Sequence, residues 1–168
     1  MSECVSLDPE RLIQTLGRHG VDYVLVGALA ARLHGFPRLT ADADITPSGS
    51  AANLERLAAA LRELDARVYT ESVPEGLPFD CSGATLARAD PWNLVTAAGR
   101  LDVLFTPSGT RGFDDLQSGA IRFEVFGVEL LVSDLPDIIR SKEAADRPQD
   151  RQDVIILREI LRRRDAKG

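Results

Sequence analysis

A chain of 168 residues with 26 acidic against 20 basic side chains carries a formal net charge of −6. That balance excludes broad, non-specific nucleic-acid binding, which needs a basic surface. Its length suits one domain, and a chain of this size buries about 68–70% of the surface its unfolded form exposes.

Hydrophobic residues make up 44% of the chain and aromatics only 5%, so the core must be built from Leu, Val, Ile and Ala. No apolar run approaches the roughly 18 residues of a membrane span. The opening Met1-Ser2-Glu3-Cys4-Val5-Ser6-Leu7-Asp8-Pro9-Glu10 lacks a basic stretch followed by an apolar one, so no signal peptide is read and a cytoplasmic location is expected. Cys4 and Cys81 are far apart, and His19 and His34 are isolated, which leaves neither a disulfide framework nor a zinc site of normal spacing.

In chain order, Asp8 caps a first helix with Pro9 at its first position and Leu12, Ile13 and Leu16 on its apolar face; Gly17 and Gly20 are expected to end it. Tyr23–Val26 is a continuous apolar run of strand length, stopped at Gly27. Ala28–His34 is Ala/Leu-rich and helical, with Gly35 at its C-terminal cap. After a loop through Pro37, a strand covers Asp42–Thr46. Ser50 caps a helix from Asn53 to Leu64, whose Leu54, Leu57, Ala58 and Leu61 recur at helical spacing. A short strand is expected at Arg67–Thr70. Residues 71–91, rich in Pro and Gly, read as an irregular, mobile loop. Asn93–Thr96 and Leu101–Phe105 flank Gly99-Arg100 as a hairpin, and Ile121–Phe126 and Val128–Val132 form a second one around Gly127. A short helix is expected at Phe113–Gln117, and helices at Leu135–Ala145 and Asp150–Arg164 close the chain. The order predicts an α+β or mixed α/β domain built on one sheet, with a core over about 20–132 and a C-terminal helical part over 134–165.

Three features carry chemistry. Strand alternation puts Asp42 and Asp44 on one face, with Ala43 and Ile45 toward the core. Two such carboxylates repel unless a cation lies between them, and Mg²⁺ accepts carboxylate, water and phosphate oxygens together; solvated loop aspartates are the plain alternative. The turn Val26-Gly27-Ala28 joins a buried strand to a helix, whose free N–H groups suit an anion such as a phosphate, or it is simply a tight turn. Asp102 interrupts the apolar run Leu101–Phe105, so it needs either a partner such as a metal shared with Asp42 or Asp44, or an exposed place beside Arg100. From Arg151 onward six bases face three acids, a net of +3, which is either a solvated helix end or a face for a polyanion.

Together these residues resemble the nucleotidyltransferase superfamily of DNA polymerase β-like fold, over roughly residues 20–157. Gly27-Ala28, then thirteen residues, then Asp42-Ala43-Asp44-Ile45, with Asp102 as a third carboxylate, follow its pattern. The approach Gly35–Asp42 and the run Lys142–Val154, containing Arg147-Pro148-Gln149-Asp150 and Asp153, resemble its small prokaryotic branch, including AbiEii-like toxins. The resemblance implies a mixed sheet flanked by helices with C-terminal helices. It also implies transfer of an NMP from an NTP to a hydroxyl acceptor: RNA such as tRNA, a protein or a small molecule. No DNA or membrane partner is implied, and a cognate antitoxin would accompany a toxin. In this reading Asp42, Asp44 and Asp102 hold Mg²⁺ or Mn²⁺, and Gly27, Ala28, Arg38, Thr40 and Lys142 bind the nucleotide. Arg147, Asp150 and Asp153 secure the last helix. Ala28 departs from the usual second Gly or Ser, losing a hydroxyl. This opens a second reading, a catalytically weak or inactive member kept as a binding or regulatory protein.

Overall fold

The computed structural model describes residues 5–168, so the first four residues of the N-terminal segment, Cys4 among them, lie outside the described residues. In order the elements are α1 (Pro9–Arg18), β1 (Tyr23–Val26), α2 (Gly27–Leu33), β2 (Asp42–Pro47), α3 (Ala51–Glu63), β3 (Arg67–Val68), α4 (Gly83–Leu86), β4 (Trp92–Thr96) and β5 (Gly99–Val103). They are followed by α5 (Phe113–Gly119), β6 (Ile121–Val125), β7 (Val128–Val132), α6 (Leu135–Ala145) and α7 (Pro148–Lys167). The strands form one mixed sheet in the order β3-β4-β5-β2-β1-β7-β6. Its centre is two parallel pairings, β2 with β5 and β1 with β7, on either side of the antiparallel β1–β2 pair. The expected α+β architecture, a mixed sheet flanked by helices, is the one found.

The β1–β2 register matters most for function, because it sets Asp44 opposite Val26. Asn53, fully buried in the first turn of α3, helps to fix it. Its side chain accepts from the Asp22 amide at 2.7 Å and donates to the Asp22 and Ser48 carbonyls at 2.9 and 2.8 Å, tying the start of β1 to the end of β2. Buried amide groups satisfied on both sides in this way resist slippage, since any shift leaves them unpaired.

Alternation along the strands separates two faces. Leu25, Ala43, Ile45, Leu101 and Val103 are at most 1% exposed and pack in the main core with α1 and α3. On the other face Val24, Val26 and Leu116 of α5 make a smaller cluster. The aliphatic side chains carry the core as the composition requires. Among the described residues no helix is long and apolar enough to cross a membrane.

Several local expectations change. Gly17 does not end α1; it lies within the helix where Val128 packs against it, and the helix runs to Arg18. The Arg67–Thr70 strand shrinks to two residues, because only these pair with β4. Residues 71–91 are not one irregular loop. Leu77 bridges to Val68, and Ser82 caps the short α4, whose Gly83 amide donates to Glu55 of α3 at 3.0 Å. Glu55 can approach because Gly83 has no side chain.

Candidate active site

Continuing the sheet registers across four strands builds a row of side chains on the open face. Val26 of β1 lies beside Asp44 of β2, and Asp44 beside Asp102 of β5. On the other flank Leu25 pairs with Val132, so Ser133 falls beside Val26, its amide donating to the Leu25 carbonyl at 2.9 Å. The row is the floor of a cavity of about 710 Å³, walled by α6 and by the segment from Leu104 to Thr110.

The Asp44–Asp102 pair is the electrostatic centre. Burial, the Asp102 charge and hydrogen bond, and Asp42 push Asp44 up to about 7, partly offset by Lys142. Asp102 is also raised, mainly by burial and then by Asp42, against the opposing pull of Arg100. Arg100 is itself stacked on Tyr69, its guanidinium carbon 3.6 Å from the ring centre. Two adjacent carboxylates out of bulk water cannot both ionise cheaply, so the pair holds a proton near neutrality unless a cation replaces it. Asp102 Oδ1 is buried without a hydrogen-bond partner. That orphan oxygen and the shared proton fit a hard divalent cation with oxygen ligands.

Asp42 stands on the same face but one step along, in register with Arg100 rather than with the pair. Its charge reaches both carboxylates, yet no three acidic, His or Cys side chains close into a metal-binding group among the described residues. The structure thus brings Asp44 and Asp102 together and leaves Asp42 at the edge.

Gly27 explains how Asp44 fits. Its φ is +69°, and a Cβ there would lie 2.2 Å from Asp44 Oδ2. Only glycine combines that conformation with so close an approach. Ala28 follows in the first turn of α2, beside the cavity but not on its wall.

Lys142 and Arg147 line the same cavity from the helical side. Lys142 is held by two buried carboxylates, with Nζ 3.0 Å from Asp153 and 3.5 Å from Asp150. Arg147 and Asp150 form a reciprocal cap at the start of α7, the Arg147 amide and Nε donating to Asp150 at 3.2 and 2.7 Å. Besides Ala28, two more sites expected to touch nucleotide do not line the cavity. Arg38 turns instead to Asp153, which Lys142 also holds, and packs over Phe36. Thr40 folds back on the backbone of Asp42, donating to its carbonyl at 2.8 Å, and so shapes the entry to β2.

The basic end of the chain is not a free polyanion surface. Arg151 pairs with Asp146, Arg158 with Glu143, Arg162 and Arg163 with Glu159, and Arg164 with Asp134. Partnered guanidinium groups offer little net field to a phosphate backbone.

Several cavity residues escape a reading by motif. Asp90 accepts from the Phe105 and Thr106 amides at 2.9 and 3.1 Å and from the Thr106 hydroxyl at 2.6 Å, shaping one wall. Gly109, with φ +72°, lets that wall press on α6, where a Cβ would lie 3.0 Å from the Arg140 carbonyl. Asp137, Ser141 and Ala145 recur every four residues and face the cavity along α6. That periodicity was the one available signal, and Lys142 sits on the same stripe.

No protein-family model and no curated protein matches the chain. Solved structures do. The lincosamide antibiotic adenylyltransferase LnuA, solved with lincomycin bound, is similar over 92% of this chain and 99% of its own, with 15% identity and a TM-score of 0.59. A Thermotoga maritima protein assigned as a nucleotidyltransferase aligns over 94% and 96%, with 15% identity and a TM-score of 0.53. The antibiotic-resistance factor ANT(2'')-Ia aligns over 94% and 90%, with 17% identity and a TM-score of 0.50. Across nearly its whole length, therefore, the chain has the fold of the nucleotidyltransferases.

Proposed function

We propose that the protein is a metal-dependent nucleotidyltransferase that moves an NMP from an NTP to a hydroxyl of a small acceptor. The observation that carries this is the half-buried Asp44–Asp102 pair on adjacent parallel strands, faced by Lys142 across a cavity of about 710 Å³. Asp44 and Asp102, with Asp42 from the same face, would hold Mg²⁺ or Mn²⁺. When bound, such ions stabilise the attacking and leaving oxygens of an in-line displacement together.

The chain's own groups supply position and charge. Lys142 and Arg147 would face the triphosphate, and Gly27 would lie against it where no side chain intervenes, with Ala28 just behind. Asp102, whose Oδ1 lacks a protein partner, would accept the acceptor's hydroxyl proton. The acceptor oxygen then bonds to the α-phosphorus as the bond to pyrophosphate breaks.

A small acceptor is favoured over RNA because the arginines of α7 are paired and the net charge is −6. Two of the similar structures are antibiotic-related by name, one an adenylyltransferase of lincosamides. A toxin role with a tRNA or protein target and a cognate antitoxin rests on the resemblance of the Gly35–Asp42 and Lys142–Val154 segments alone. Ala28 supports a second reading, a weak or inactive member that only binds. Titration with each NTP and Mg²⁺, followed by a transfer assay on the same protein, separates the two. Binding without transfer to any acceptor selects the second reading.

A further inference from the structure

The helical wall of the cavity carries a gradient of charge, of which the proposed transfer chemistry uses only the basic end. Lys142 and Arg147 lie at one end of its helical wall, and Asp137 at the other. Lys142 is five residues beyond Asp137, about 7.5 Å along the helix axis. Between them Ile138 and Ser141 face the cavity, with Val26 and Leu116 adding apolar wall.

The Asp137 end has unmet hydrogen-bonding capacity. Ser133 is only 2% exposed. Its amide donates to Leu25, and its carbonyl accepts from His34 Nε2 at 2.9 Å. Its hydroxyl, on the cavity wall, makes no hydrogen bond within the described residues. Asp137 shares a single guanidinium with Asp115: Arg140 Nη2 lies 3.1 Å from Asp137 Oδ1 and 3.1 Å from Asp115 Oδ2. Asp137 Oδ2 has no donor, and stands where the missing side chain of Gly119 gives it room, 2.7 Å from the position a Cβ would take.

A ligand lying along this wall has phosphate at one end, an apolar body in the middle and an N–H-bearing edge at the other. We infer that Ser133, Asp137 and Ser141 form a nucleobase subsite that selects an NTP whose base carries an amino group where hypoxanthine and uracil carry a carbonyl, that is, adenine or cytosine. The amino group donates to Asp137 Oδ2, the Ser133 and Ser141 hydroxyls meet neighbouring ring positions, and Ile138, Leu116 and Val26 pack on the ring. Ser133 lies two strands from Asp44, about 10 Å across the sheet, which leaves the ribose between base and reacting phosphate. This inference rests on the nucleotidyltransferase reading of the same cavity.

Calorimetric titration in Mg²⁺ tests it, using ATP against ITP, CTP against UTP, and inorganic tripolyphosphate. Each pair exchanges an amino group for a carbonyl. Wild-type protein should favour the amino-bearing member of at least one pair by about tenfold, the scale of one hydrogen bond to a charged acceptor. Asp137→Asn, whose amide can donate to a carbonyl, should bring that ratio near one, and Ser133→Ala and Ser141→Ala should each weaken the preferred NTP about threefold or more. Tripolyphosphate affinity should be unchanged in all three. If Asp137→Asn fails to fold, the two serine variants still decide. Equal affinity within both pairs, or a preference untouched by the variants, overturns the subsite while tripolyphosphate binding sustains the transferase reading. A folded wild-type protein that binds neither NTP nor tripolyphosphate overturns both.

Discussion

Asp44→Asn should stabilise the metal-free protein at alkaline pH. In the native protein Asp44 is pushed from 3.8 to about 7 by burial and by its carboxylate neighbours. A carboxylate raised on folding binds more protons in the native than in the unfolded state between those values, so stability is full below about 3.8, falls as pH rises, and is lost beyond about 7. Each tenfold change in proton affinity corresponds to about 1.4 kcal/mol, which sets an upper bound of about 4 kcal/mol on the cost of ionising Asp44 at pH 8. Asn keeps the shape, can donate to Asp102, and removes the charge. At about 2–4 °C per kcal/mol for a chain of this size, a retained 2–4 kcal/mol raises Tm by roughly 4–16 °C. Thermal unfolding in EDTA at pH 4 and pH 8 reads this directly: the variant should exceed wild type at pH 8 and match it at pH 4. Added Mg²⁺ should raise the wild-type Tm and leave the variant nearly unmoved. A variant no more stable than wild type at pH 8 in EDTA refutes the claim that the pair is electrostatically frustrated.

Gly27→Ala should destabilise the fold by about 1–3 kcal/mol through its left-handed backbone alone, and should also weaken NTP binding by displacing Asp44; an unchanged melting curve and affinity contradict the close approach. Asp153→Ala removes the partner of Arg38 and one of the two carboxylates that hold Lys142, leaving Asp150, so it should cost less than the roughly 3–5 kcal/mol of a buried charge that loses its only partner. Chemical denaturation reads it, and a change below about 1 kcal/mol, the value of an exposed pair, means that the network is solvent-screened. Ala28→Ser restores the hydroxyl usual at that position, and should tighten NTP binding by roughly threefold to tenfold, the worth of one hydrogen bond. Unchanged affinity would show that Ala28 does not limit nucleotide binding.

Local elements were largely legible in the residues. Tyr23–Val26 and Leu135–Ala145 have the predicted bounds, because an unbroken apolar run and an Asp-capped helix leave little competition. What failed were features that tertiary contacts decide. Gly17 looks like a helix stop but serves packing against Val128, and residues 71–91 gain α4 only through contact with α3. The Asp42/Asp44 alternation was readable, but which carboxylate Asp102 would meet depends on the parallel β2–β5 register, which no local pattern encodes. Arg38 matched a position in sequence, yet its partner is Asp153, 115 residues away. The basic end likewise read as a charge run because its partners Asp134, Glu143 and Asp146 come from outside that run.

The most direct test of the central claim is transfer of label from α-labelled NTPs in Mg²⁺ to small hydroxylated acceptors, lincomycin among them, with RNA and protein acceptors in parallel. Label should enter a small molecule with wild-type protein, and both Asp44→Ala and Asp102→Ala should abolish it while remaining folded. Transfer that persists unchanged in Asp44→Ala, or a folded wild-type protein that binds NTP yet labels no acceptor of any class, contradicts the assignment of the Asp44–Asp102 pair as the transferase centre.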